Sequence, residues 1–202
     1  MCTMSTLVVG DVHGCSEELR VLLEMAKPDR VILLGDLFTK GPDPQGVWEL
    51  ILKYNAEAVL GNHDFAIKEK KRFKGLAKEA LEWLSKRPLT ISGQVNRASG
   101  ICSWTVVHAG INPFGSTTKK QALILRRWPD DKDKSNPFWW ELYDRPEFVI
   151  YGHDAQRLLQ DHRPKTLGLD TGCVYGGHLS GYLIEADQII QTPARRVYKA
   201  ID

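Results

Sequence analysis

Five times in this chain an apolar run breaks into a glycine-flanked cluster of Asp, Asn or His. Leu7-Val8-Val9 leads into Gly10-Asp11-Val12-His13-Gly14, and Arg30–Leu34 into Gly35-Asp36. Glu57–Leu60 feeds Gly61-Asn62-His63-Asp64, Ile101–His108 runs into His108-Ala109-Gly110, and Phe148–Tyr151 ends in Gly152-His153-Asp154. Short apolar runs bounded by turn signals read as buried strands. Their polar ends therefore lie along a sheet's carboxyl edge, where α/β folds bind ligands. Alternation in an extended segment puts Asp11 and His13 on one face, so a carboxylate oxygen and an imidazole nitrogen converge. Four of the six histidines fall in these clusters, and only His162 and His178 lie outside.

Between the runs, the spacing of Leu19, Leu22, Leu23 and Ala26 predicts a helix over Ser16–Lys27, stopped by Pro28. Helices are also expected over Val47–Tyr54, Phe65–Lys71, Leu76–Lys86 and Lys119–Arg127. Later strands are expected at Leu89–Val95 and Thr166–Leu169. A hairpin is expected over His178–Glu185 and Gln188–Thr192, and a last strand over Val197–Ile201. Helices early and hairpins late give an α/β fold class: two sheets face to face with helices outside.

At 202 residues, 43% hydrophobic and 26% charged, one domain over residues 1–202 is expected. No apolar run is long enough for a membrane span, and the N-terminus has no signal-peptide pattern. The four cysteines (Cys2, Cys15, Cys102 and Cys173) show no C-x-x-C spacing, so reduced thiols, no disulfides and a cytoplasmic protein are expected. A net charge of +2 argues neither for nor against nucleic acid, and nothing points to a partner protein.

The strand ends supply carboxylate, amide oxygen and imidazole, without thiolate. That donor set suits divalent Mn, Fe, Zn, Co or Mg. Asp11, His13, Asp36, Asn62, His108 and His153 make six candidate ligands. One four-coordinate ion does not use six, whereas two ions roughly 3.5–4 Å apart, sharing a carboxylate and a water, do.

The ordered blocks G-D-x-H-G, G-D, G-N-H-D, H-A-G and G-H resemble those of the calcineurin-like metallophosphoesterases over essentially the whole chain. The resemblance implies a sandwich of two mixed sheets flanked by helices, and two divalent ions with Mn²⁺ the expected metal. It implies that Asp11 and His13 hold the first ion, Asp36 bridges, and Asn62, His108 and His153 hold the second. His63 would bind no metal and act as general acid, while a metal-bridging hydroxide attacks phosphorus.

The second block points to a branch. Serine/threonine protein phosphatases typically read G-D-x-V-D-R-G there, and bacterial symmetrical diadenosine tetraphosphatases G-D-L-V-N-R-G-P. This chain reads G-D-L-F-T-K-G-P. Thr39 replaces the carboxylate that orients the catalytic His in the protein phosphatases, and Lys40 replaces the phosphate-clamping Arg. The K-G-P ending, Tyr151–Ala155 and Leu169–Gly177 resemble the ApaH-like phosphatases. That branch cleaves phosphoanhydride bonds in dinucleoside polyphosphates, capped RNA ends or polyphosphate. The competing expectation is a phosphoprotein phosphatase on the same site.

Around this core, Lys40 is a candidate phosphate contact. Arg126 and Arg127 either form a second phosphate clamp or charge the end of a helix. Asp170 either supports the site or shapes a turn. Trp139-Trp140 either stack a base or pack inward, and Cys173 reads as small packing.

Overall fold

The computed structural model describes residues 4–97 and 100–200. Strands β1 (Thr6–Val9), β2 (Arg30–Leu33) and β3 (Glu57–Ala58) run parallel, linked by helices α1 (Ser16–Ala26) and α2 (Pro44–Lys53). Helices α3 (Asn62–Lys70) and α4 (Lys78–Ser85) follow, then the antiparallel pair β4 (Thr90–Arg97) and β5 (Gly100–Val107). Helix α5 (Lys119–Ile124) precedes β6 (Phe148–Tyr151), β7 (Gln160–His162), β8 (Thr166–Gly168) and the closing hairpin β9 (His178–Leu183) and β10 (Gln188–Pro193). The two sheets have the orders β10-β9-β1-β2-β3 and β4-β5-β6-β8-β7, and each mixes parallel and antiparallel pairs.

Strand alternation divides the apolar residues between layers. Val8, Ile32, Leu34 and Tyr182 of one sheet meet Trp104, Val106, Phe148, Ile150 and Leu167 of the other. Their neighbours Leu7, Val9, Val31 and Leu33 face the opposite way, onto Leu19, Leu22 and Leu23 of α1 and Val47 and Ile51 of α2. Val107, Val149 and Tyr151 pack outward against Ala122, Leu125, Trp139 and Tyr143. Strands β1, β2 and β6 are thus buried on both faces, which is why these runs are continuously apolar.

Three expectations are corrected by local chemistry. Helix α2 begins at Pro44 rather than Val47, because Asp43 accepts a hydrogen bond from the Gly46 N–H at 2.8 Å and Pro44 suits the first turn. Helix α3 begins at Asn62 rather than Phe65, with the Asp64 carboxylate accepting from the Gly61 N–H at 3.3 Å. Helix α5 stops at Ile124, since Leu125 turns extended. Arg126 and Arg127 therefore lie beyond it, and the helix-end reading of these arginines fails.

Strand β7 (Gln-Asp-His) was not expected, because it carries no apolar alternation. The strand expected over Val197–Ile201 does not form over residues 197–200, and Ile201 lies outside the described residues. The Tyr198 and Lys199 N–H groups instead both donate to the Val174 carbonyl at 3.0 Å.

Candidate metal centre

The carboxyl ends of β1, β2 and β3 meet those of β5, β6 and β8 along one edge of the sandwich. Two cross-sheet bonds fix the meeting. The His108 ring donates from Nδ1 to the Leu34 carbonyl at 2.9 Å, and the His153 N–H donates to Asp11 Oδ1 at 3.1 Å. Gly152 permits the second approach, since a Cβ there would stand 2.1 Å from Asp11 Oδ1.

Three candidate ligands adopt left-handed backbone: His13 (φ +46°), Asp36 (φ +52°) and His153 (φ +72°). Each such non-glycine residue costs about 1–3 kcal/mol and persists only where its surroundings hold it. Here the His13 N–H donates to the Asp36 carbonyl at 2.7 Å, and the His63 N–H donates to Asp36 Oδ1 at 2.9 Å. Strain of this kind at one edge is a mark of a functional site.

Two sets of ligand atoms result, each with its members within 4.8 Å of one another: Asp11, His13 and Asp36, and Asp36, His108 and His153. Asp36 belongs to both. Its Oδ2 lies 3.6 Å from His13 Nε2, and its Oδ1 lies 3.6 Å from His108 Nε2. Asn62 Oδ1 joins the second set, 3.0 Å from His108 Nε2.

These residues fit a pair of divalent cations. Asp11 Oδ2 and His153 Nε2 are buried without a hydrogen-bond partner among the described residues, which native interiors rarely tolerate. Burial pushes the Asp11, Asp36 and Asp170 carboxyls above the usual range, and the nearby carboxylates push Asp11 and Asp170 further. Burial pushes His13, His108 and His153 down, toward the neutral imidazole that a metal requires. The acidic cluster calls for cations, and the histidines are in the form that accepts them.

The surrounding residues take defined places. Thr39 Oγ1 lies 3.1 Å from His13 Nδ1, so the hydroxyl orients a ligand ring rather than His63. A partner on the far nitrogen fixes ring and tautomer, and its loss typically costs 10–100-fold in metal affinity. Thr39→Val is accordingly expected to weaken binding of the first ion about 10-fold, as measured by competitive chelator titration.

Asp64 is fully buried, and its oxygens accept from the Leu37 N–H at 3.0 Å and the Gly61 N–H at 3.3 Å. It ties the Asp36 loop to the Asn62 loop. Asp64→Ala strands these N–H groups and is expected to lower unfolding free energy by about 3 kcal/mol in denaturant titration, with Asn recovering part.

His63, the second residue of α3, has Nε2 3.9 Å from Asp36 Oδ2 and its ring edge-on to His13. Its side chain is 35% exposed, whereas His13 and His108 are buried. Burial, then the Lys40 charge, pushes its pKa down to about 4. Lys40, itself at φ +70°, brings Nζ to 3.1 Å from His13 Nε2 and over the Tyr175 ring.

The Arg126 guanidinium donates to the His153 carbonyl at 3.2 Å and faces Asp154 at 3.5 Å. Arg127 donates to the Asn136 carbonyl and stacks on Phe138, 4.0 Å from the ring centroid. Asp170 Oδ1 accepts from the Gly172 N–H at 3.1 Å, so it shapes the turn while facing the cleft. Trp139 is buried among Tyr143 and Tyr151, and Trp140 lies between Phe138 and His162. The tryptophan pair therefore packs inward and does not offer a base-stacking face.

All of this opens into a cleft of about 870 Å³ lined by Lys40, Arg126 and Arg127 beside the strand-end ligands. Sequence reasoning missed Lys134, Phe138, Arg157 and Tyr175 in the same lining. Arg157 stood four residues after His153, a position that strand-end reasoning could have flagged. Lys134 and Phe138 lie between α5 and β6 in a stretch without a motif, and Tyr175 lies in the Leu169–Gly177 block, whose resemblance gave it no role.

Residues 4–181 match the family described as calcineurin-like phosphoesterase. The symmetrical bis(5'-nucleosyl)-tetraphosphatase of Psychromonas ingrahamii is 34% identical, over 88% of this chain and 92% of that protein. Its counterpart from Erwinia tasmaniensis is 25% identical, over 96% and 98%. A crystal structure provisionally assigned as a diadenosine tetraphosphatase superposes with a TM-score of 0.85 at 29% identity, over 96% of this chain and 95% of that one. A metallophosphoesterase from Sphaerobacter thermophilus, 19% identical with a TM-score of 0.57 over 96% and 88%, shares the fold. With a shared carboxylate between two ligand sets and this match along most of its length, the chain belongs to the calcineurin-like phosphoesterases, metal-dependent hydrolases that work with a dinuclear site.

Proposed function

We propose that this protein hydrolyses phosphoanhydride bonds in nucleotide polyphosphates, with dinucleoside tetraphosphates as the first substrate class. Capped RNA ends and polyphosphate contain the same bond. Mn²⁺ is the expected ion, for which carboxylate, amide and imidazole donors are suitable.

The support of His63 carries this reading. A serine or threonine alkoxide leaves poorly, so a protein phosphatase needs a firmly oriented acid. The oxygen released from a phosphoanhydride is far less basic and asks less of it. Here Thr39 turns to His13, and Asp64 turns to backbone N–H groups. Neither residue serves as the carboxylate behind the acid.

Bound divalent ions supply Lewis acidity and a water-derived nucleophile near neutral pH. The chain's own residues do the rest. Lys40 attracts a phosphoryl oxygen as a point charge, and Arg126 and Arg127 receive further phosphates along the cleft. His63 is poorly basic in the protein alone, with a pKa of about 4. A phosphate anion drawn between His63 and Lys40 offsets the lysine charge and raises the ring's proton affinity. The imidazolium then passes its proton to the leaving oxygen. The names of the tetraphosphatase relatives support the same substrate class.

The test is a parallel assay of the Mn²⁺-loaded enzyme on diadenosine tetraphosphate, a capped dinucleotide, polyphosphate and a phosphopeptide. Anhydride cleavage with the phosphopeptide untouched is the expected result. Preference for the phosphopeptide overturns the reading in favour of a phosphoprotein phosphatase.

A further inference from the structure

Two cysteines far apart in sequence meet behind the dinuclear centre. Cys15 precedes the first turn of α1, two residues after His13. Cys173 begins a 3₁₀ turn (Cys173–Tyr175) just after Asp170-Thr171-Gly172. Both are buried and free, their sulfurs lie within 4.8 Å of each other, and Cys15 Sγ donates to the His13 carbonyl at 3.9 Å.

Glu18, one helical turn beyond Cys15, is 1% exposed. A Glu18 carboxylate oxygen, Cys15 Sγ and Cys173 Sγ lie within 4.8 Å of one another. Glu18 Oε1 accepts from the Arg195 N–H at 2.9 Å and the Tyr198 hydroxyl at 2.7 Å. Its Oε2 is buried with no hydrogen-bond partner among the described residues. A buried carboxylate oxygen without a partner is costly, and a carboxylate left so beside two thiols points to a ligand.

We propose that Cys15, Glu18 and Cys173 form a third cation site, separate from the dinuclear centre and selective for a thiophilic divalent ion of the zinc group. Two sulfurs and one carboxylate are a donor set for such ions, and hard ions such as Mn²⁺ or Mg²⁺ are poorly served by it. The strand-end centre differs in having no sulfur among its ligands.

A second cleft of about 380 Å³, lined by Ser16, Glu18, Asp43, Arg195 and Tyr198, reaches Glu18 from solvent. It brings solvent to the Glu18 end of the cluster and gives an ion an entry path. Binding deprotonates both thiols and releases two protons to solvent. The ion would pin the loop bearing Asp11 and His13 to the loop bearing Asp170. Through Glu18 it would also hold the segment around Arg195 and Tyr198. It would fix the geometry of the reacting centre without joining the reaction.

Replacing the other two cysteines (Cys2→Ser with Cys102→Ser) leaves Cys15 and Cys173 as the only thiols in the chain. This double variant, first loaded with Mn²⁺, is titrated with Cd²⁺ as the probe. Cadmium–thiolate ligation gives near-ultraviolet charge-transfer absorption that oxygen and nitrogen ligands do not. The expected result is a band saturating at one Cd²⁺ per chain while the circular dichroism of the folded protein is retained. Adding Glu18→Gln is expected to weaken that binding at least about 10-fold. Absence of the band in the double variant, its appearance only as the protein unfolds, or unchanged affinity after Glu18→Gln overturns the proposal.

Discussion

Asp36→Asn is expected to lower turnover by more than about 10³-fold and to reduce the bound divalent ions below two per chain. Asp36 is the one side chain common to both ligand sets, with one oxygen toward His13 and the other toward His108. Asparagine has nearly the same shape and keeps an oxygen for the His63 N–H, so the loop is retained. The substitution removes the negative charge that two cations share and replaces one acceptor oxygen with a donor. Removing a single well-placed electrostatic contact from an active site typically costs 10²–10³-fold, and here both ions lose a ligand. Turnover and metal content are measured together on the same preparation. A near wild-type rate with two ions bound would falsify the assignment of Asp36 as the shared ligand.

His63→Asn separates catalysis from metal binding. His63 is more exposed than His13 and His108 and belongs to neither three-residue ligand set. The variant is therefore expected to bind both ions with unchanged stoichiometry while kcat falls about 10²-fold on an anhydride substrate, the lower end of the usual range for a general acid. On a phosphomonoester with a basic leaving group the loss is expected to be larger, since proton donation matters more there. The ratio of the two losses distinguishes an acid from a positioning residue. Loss of an ion from this variant would make His63 a ligand. Equal losses on both substrates would remove it from proton transfer.

The strand ends were legible because covalent sequence dictates them. A buried run that stops at a glycine must release its next polar residues at the sheet edge, and five such stops in a fixed order leave little freedom. Helix α1 was legible for a similar reason, since its apolar residues repeat at 3.6-residue spacing. The start of α3 was not, because Gly61, Asn62 and His63 read as a loop until Asp64 is seen accepting from the Gly61 N–H.

Contacts across long separations were hidden altogether. Position 39 was recognised as unusual, yet only folding shows that its hydroxyl serves His13. Asp64 sits beside His63 in sequence, but the helical turn carries its carboxylate away to Leu37 and Gly61. Trp139-Trp140 illustrates the other limit. An exposed base platform and a buried aromatic pair look identical in sequence, and the packing of Trp139 against Tyr151 decides between them. Cys173 read as small packing, whereas the fold places it within reach of Cys15 and Glu18.

The most direct test of the central claim is a titration of metal-free protein with Mn²⁺, following hydrolysis of diadenosine tetraphosphate at each step. Mn²⁺ avoids thiolate ligands, so the titration reports the strand-end centre. The expected curve rises to a plateau at two ions per chain, with nucleotide products of anhydride cleavage. Full activity at one ion, or no anhydride cleavage with two ions bound, would contradict the account.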